Sequence, residues 1–102
     1  MKRYQVVILR EASKFLEKVV SEDRGIISRQ MEHMERANFS ILFIKTIHSP
    51  LRELKIKKYR IFFFINKNVI YIISAFIKKS QKAPQREILK AQNIIKSILQ
   101  QL

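Results

Sequence analysis

Three runs rich in β-branched and aromatic residues, Leu51–Ile56, 59–65 and 69–78, follow one another with only Lys57-Lys58 and Asn66-Lys67-Asn68 between them. Strands joined by so few residues can only pair antiparallel, because a parallel neighbour needs a crossover of a dozen or more. This meander constrains the fold more than any other feature, and it is also where the charge lies. Between Lys45 and Lys90 there are twelve Lys/Arg and two acids, Glu53 and Glu87, so this stretch carries about +10 of the chain's formal +13. A sheet threaded with so many cations has one face suited to a polyanion, and nucleic acid is the leading candidate.

The remaining elements supply the cover that such a sheet needs. Residues 4–9 read as a first strand, which joins the meander because a lone strand would leave backbone groups unpaired. Residues 11–22 place Phe15, Leu16, Val19 and Val20 at helical spacing. The only glycine, Gly25, is expected in the turn before a second helix carrying Ile26, Ile27, Met31 and Met34 and ending near Asn38. Residues 39–49 fit either a short helical turn or an extended connection. Pro84 suits the first turn of a last helix, whose apolar face is Ile88, Ala91, Ile95, Ile98 and Leu102. The expected fold is a compact α+β domain over residues 1–102. It has a mainly antiparallel four-stranded sheet, two N-terminal helices and a C-terminal helix, in the order β-α-α-β-β-β-α.

Composition narrows the chemistry. An apolar fraction of 47%, with seven Phe and three Tyr, belongs to a chain that folds rather than one that stays disordered. With no cysteine, disulfides and thiolate metal sites are excluded, and His33 and His48 lack zinc-motif spacing. No metal or other cofactor is expected. The apolar run of the N-terminus is too short for a signal peptide, and Asn66 and Lys67 break the longest apolar region before it could span a bilayer. The expected setting is the cytoplasm, with no membrane partner.

Arg52, Lys55, Lys57, Lys58 and Arg60 cluster around the first hairpin, and Lys78, Lys79, Lys82 and Arg86 leave the last strand for the final helix. Such side chains hold phosphates, and one beside a scissile phosphate stabilises charge that develops in the transition state. Lys57 and Lys58, in a turn, also fit ordinary solvated positions. Glu53, the odd acid in this run, fits a salt bridge to Arg60 or Lys55 better than a general base. His48, just before the hairpin, is a candidate proton-transfer group. Phe62, Phe63, Phe64 and Phe76 suit either core packing or stacking on bases, with Phe63 assigned to the core.

The segments Leu51-Arg52-Glu53-Leu54-Lys55, Tyr59-Arg60-Ile61-Phe62-Phe63-Phe64 and Phe76-Ile77-Lys78-Lys79-Ser80-Gln81-Lys82-Ala83-Pro84 resemble those of the HigB-type toxins, phage-derived host-inhibition toxins of the RelE/ParE superfamily. The resemblance implies a RelE-like fold and a metal-independent RNase that cuts messenger RNA during translation on the ribosome. It also implies a cognate helix-turn-helix, HigA-like antitoxin, and contact with operator DNA only through the toxin–antitoxin complex. By position, Arg60 corresponds to the family arginine near the scissile phosphate, and Lys55 stands where an arginine is more usual. Lys78 and Lys79 match the paired lysines at the end of the last strand, and Glu53 matches the family glutamate. The implied catalytic set is therefore Arg60, Lys55, Lys78 and Lys79, with Glu53 and His48 as further candidates. Arg52, Lys57, Lys58, Lys82 and Arg86 would be RNA contacts.

The chain departs from the family pattern at Ser74-Ala75, where His-Gly is common, and at Ala83, where Thr commonly caps the helix. An arginine often found after Ala91 is also missing. Two other functions fit a small basic chain of this kind. A non-enzymatic toxin of the same superfamily that inhibits DNA gyrase would yield no RNA cleavage products. A basic nucleic-acid-binding module would bind without a reaction and without affecting growth.

Overall fold

The computed structural model describes residues 1–80 and 84–102. Nine elements follow in chain order: β1 (Gln5–Ile8), α1 (Arg10–Glu17), α2 (Ser21–Glu35), a 3-10 turn (Phe39–Ile41), β2 (Ile44–His48), β3 (Leu51–Ile56), β4 (Tyr59–Asn66), β5 (Val69–Ile77) and α3 (Gln85–Gln101). The sheet runs β1-β5-β4-β3-β2. The β2-to-β5 pairings are antiparallel, and β1 lies parallel to β5. The α1–α2 passage carries the chain from β1 at one edge to β2 at the other, and the meander then returns to place β5 parallel to β1.

The α+β class and the meander agree with the sequence expectation, but the strand count of four is one short. The fifth strand is β2, from the segment that fitted either a turn or an extended connection. Its Ile44 and Ile47 are half-buried between exposed Lys45, Thr46 and His48, so the strand covers the core weakly and its period is faint. A register shift between Thr46 and His48 blurs the alternation further.

The first helical break also differs from expectation. It falls at residues 18–20, and Gly25 lies inside α2. One helix over residues 10–35 would be about 39 Å long, beyond the 36 Å longest extent of the domain, so the chain must turn to keep both segments against the sheet. Glu22 and Asp23 in the first turn of α2 favour a helix start there. Leu102, assigned to the apolar face of the last helix, is exposed at the chain end.

β4 sits mid-sheet, and residues 61–64 are all buried. Its alternate side chains feed two cores. Ile61 and Phe63 join Leu54, Ile56, Ile70 and Ile72 under α1 and α2. Phe62 and Phe64 join Leu51 and Ile73 under Ile88, Ala91 and Ile95 of α3. β5 carries one extra residue, Ile73, opposite Phe62 and Phe63. That bulge explains why 72–75 are buried consecutively instead of alternating.

Gly25 has no positive φ, and nothing lies within 4 Å of where a Cβ would sit. Gly25→Ala is therefore expected to stabilise the protein by about 0.5–1 kcal/mol, through helix propensity and reduced unfolded-state freedom. Urea unfolding checks this. A loss of stability would return Gly25 to a turn.

Candidate nucleic-acid interface

α3 covers only part of its face of the sheet. Beyond it, strand alternation and register leave one rung across β3, β4 and β5 that no described helix covers. Lys55 of β3 pairs with Arg60 of β4, and Arg60 with Phe76 of β5. The Lys55 N–H donates to the Phe43 carbonyl at 2.9 Å, which carries the rung to the residue before β2. The next rung is Lys45, Glu53 and Phe62. Past the end of β5, the Lys78 N–H donates to the Lys58 carbonyl at 2.9 Å, which keeps Lys78 two residues from Phe76 on the same face. Phe43, Lys45, Glu53, Lys55, Arg60 and Lys78 thus line one groove of about 340 Å³. It opens into a shallower hollow lined by Arg60, Lys78, Lys79 and Ser80.

Within the groove Arg60 is held on several sides. Its Nη1 donates to the Lys57 carbonyl at 2.9 Å and to the Tyr59 carbonyl at 2.8 Å. Its Nε lies 3.8 Å from Glu53 Oε1, and Lys45 Nζ approaches the same oxygen at 3.9 Å. Glu53 is only 3% exposed. A carboxylate so buried needs opposite charge nearby, and cations on both neighbouring strands supply it. The salt bridge to Arg60 matches the sequence expectation, and its second cation is Lys45 rather than Lys55. These separations are ion-pair distances, too long for hydrogen bonds. Oε2 is buried with no hydrogen-bond partner among the described residues. One acid against Lys45, Lys55, Arg60 and Lys78 leaves the groove net positive, which suits a phosphate.

Of the residues singled out by sequence, the structure gathers Arg60, Lys55, Lys78 and Glu53 in this groove, with Lys79 at its margin. It keeps others apart. His48 is exposed at the far end of β2, in a hollow against Gln92, Ile95 and Lys96 of α3. Arg52 shares a face with Leu54 and projects to the α1/α2 side, and Arg86 is exposed in the first turn of α3. Lys58 Nζ sits 5.6 Å from the centre of the Tyr59 ring. Lys82 lies outside the described residues, as does Ala83. Stacking on bases is closed to Phe62 and Phe64, which are core residues at 0% and 1% exposure, and Phe63 is core as assigned. Phe76 is half-buried, edge-on to Phe62 at 5.1 Å. Phe43 and Lys45 were not singled out, because both belong to the segment whose conformation was open; once β2 is drawn, alternation puts both on the groove side. Among the described residues no group of three or more His, Asp or Glu side chains is placed to hold a metal ion, and no helix is long and apolar enough to cross a membrane.

A separate polar cluster joins the hairpin to α2. Asp23 accepts from Lys57 Nζ at 2.8 Å and from Tyr59 Oη at 2.7 Å. The Lys57 hydrogen bond, then that of Tyr59, holds the Asp23 carboxyl below its ordinary value. The same contacts push the Lys57 ammonium and the Tyr59 phenol up. Lys57 also has a positive φ of 53°, so this pairing fixes a turn in a backbone region that L residues seldom occupy.

The fold so defined is that of chains in archaeal and bacterial toxin–antitoxin complexes. Over 74% of this chain and 94% of the other, it superposes on the archaeal RelE–RelB complex of Pyrococcus horikoshii OT3, with a TM-score of 0.63 at 16% identity. The RelB–RelE antitoxin–toxin complex of Methanococcus jannaschii gives 0.63 at 18% identity, covering 82% and 95%. The RelBE2 toxin–antitoxin complex of Mycobacterium tuberculosis gives 0.62 at 13%, covering 74% and 99%. The chain itself belongs to the family described as "Phage derived protein Gp49-like (DUF891)", whose model matches residues 14–96. No curated protein matches it in sequence.

The Asp23 cluster makes a pH prediction. A depressed carboxyl pKa contributes stability that is present above the unfolded value and lost as pH falls through the folded one. A raised lysine pKa contributes stability that is lost only as pH rises through its folded value. Asp23→Asn is therefore expected to unfold at a lower temperature than wild type at neutral pH. The gap should close in acid, once Asp23 is protonated, and shrink in high salt. Thermal unfolding across pH checks this, and a gap unchanged down to pH 2 would contradict it.

Proposed function

We propose that this chain is the toxin of a toxin–antitoxin pair, acting as a HigB-type, ribosome-dependent endoribonuclease on messenger RNA. The observation that carries the reading is the convergence of Lys55 of β3, Arg60 of β4 and Lys78, just past β5, on a part of the sheet that no described helix covers. The Gp49-like family and the fold shared with RelE–RelB complexes support the same reading.

The chemistry asked of the chain is modest. The substrate's own 2′-hydroxyl attacks the adjacent phosphorus while the bond to the 5′ oxygen breaks, giving a 2′,3′-cyclic phosphate and a 5′-hydroxyl. RNA supplies that nucleophile and DNA does not. The 2′-hydroxyl proton passes to a base, for which Lys55 is the candidate, and the departing oxygen takes a proton from a lysine ammonium or from water. Arg60 and Lys78 meet the negative charge gathering on the phosphate oxygens. Glu53 and the two backbone carbonyls hold the guanidinium before the substrate arrives, so little reorganisation is needed at the moment of reaction. The partners are the translating ribosome with its message and a HigA-like antitoxin that neutralises the toxin.

Single-turnover cleavage of a defined message on translating ribosomes tests this. Lys78→Ala and Arg60→Ala should each slow the cut by about 10²- to 10³-fold, and a single 2′-deoxy nucleotide at the cut site should abolish it. Because Arg60 also braces the hairpin, Lys78→Ala is the decisive variant. Wild-type rates from folded Lys78→Ala and Arg60→Ala would sink the assignment.

A further inference from the structure

Phe43 is 76% exposed, and among the described residues it belongs to neither core cluster. It is nonetheless held in place, because its carbonyl accepts the Lys55 N–H at 2.9 Å. That bond puts it on the rung that continues through Lys55 to Arg60, with Lys45 two residues further along the same face. Neighbouring strands lie about 4.8 Å apart, so the backbones at Phe43 and Arg60 are separated by about 10 Å, with Lys55 between them.

Resting on the RNA reading above, we infer that Phe43 is a base-stacking platform. It takes one unpaired nucleobase flanking the phosphate held by Lys55 and Arg60, and so makes the groove a nucleotide subsite. A flat apolar ring beside a row of cations matches the two halves of a nucleotide, a π-face and a phosphate, in one unit. An apolar protein segment would cover the ring but leave Lys45, Lys55 and Arg60 to be neutralised by acids of its own. Stacking tolerates any base, so Phe43 adds affinity and fixes the phosphate's register without choosing a sequence. Base discrimination falls to other groups.

The probe is a hexaribonucleotide with 2′-O-methyl groups, which lacks the attacking hydroxyl and cannot be cut, together with an abasic oligomer of the same length. Free wild-type protein should bind the base-bearing oligomer about 5- to 150-fold more tightly, the fold-change expected of one stacked base. Phe43→Leu, which keeps apolar bulk but loses the ring face, should bring that preference close to unity while leaving the salt dependence unchanged. Lys55→Ala should do the reverse, lowering the salt slope by about one phosphate contact and keeping the preference. The chain contains no tryptophan, so Phe43→Trp supplies a single indole whose fluorescence the base-bearing oligomer should quench and the abasic one should not. Equal binding of both oligomers, binding of neither, or a preference that survives Phe43→Leu would overturn the inference. So would weakened antitoxin binding by Phe43→Leu with RNA binding intact, which would reassign the ring to a protein contact. Ribosome-dependent cleavage is read separately, so loss of the stacking role leaves the endoribonuclease reading standing.

Discussion

The constraint on which this structure depends is a central strand buried on both faces. Residues 61–64 of β4 are all hidden, and such a strand is stable only if apolar cover reaches it from two sides. The chain meets this with elements from its two ends, α1 and α2 over one face and α3 over the other. Truncating a buried phenylalanine typically costs about 3–5 kcal/mol. The surface ion pairs Lys2–Glu35 at 3.7 Å, its glutamate half-buried, and Lys90–Glu11 at 3.3 Å belong to a class worth about 0–1 kcal/mol each. Apolar burial, opposed by the self-repulsion of a +13 chain, therefore holds the domain together.

That arrangement also determines where the charge can act. A sheet wider than the helix that covers it leaves part of one face clear of the described helices, and that part is the rung of Lys55 and Arg60 with Lys78 beside it. Arg60 is anchored by backbone carbonyls and by a buried carboxylate, so its guanidinium is prepositioned. Glu53 limits the local charge without cancelling it. Core and groove are two consequences of one alternation: at β4, Phe62 and Phe64 point to the same face as Arg60, the phenylalanines under α3 and the arginine past its edge.

Much of this was legible in the residues. The spacing of the three β runs dictated the meander, but alternation alone could not part core from groove, because Phe62 and Phe64 share a face with Arg60 and only the edge of α3 divides them. Arg60, Lys55 and Lys78 were named together only through the family resemblance, and it is the strand register of the structure that brings them side by side. What stayed illegible has local causes. β2 buries little, so its two-residue period was too weak to separate it from a turn, and Phe43 and Lys45 went unseen with it. Gly25 was given a turn because glycine is the usual turn residue, but here the turn is forced by the limit on helix length. Asp23 gave no signal, because its partners Lys57 and Tyr59 lie more than thirty residues away and only the tertiary fold joins them. His48 illustrates the opposite error, in which closeness in sequence to the hairpin did not become closeness to the groove.

The central claim is that this groove directs a 2′-hydroxyl onto its neighbouring phosphate in a translated message. The most direct measurement is the chemistry of the new ends on a defined message, translated in a reconstituted system with and without ribosomes. The account predicts cuts only with ribosomes, each leaving a 2′,3′-cyclic phosphate upstream and a 5′-hydroxyl downstream. Fragments ending in a 3′-hydroxyl, or an intact message exposed to folded, antitoxin-free protein, would contradict it.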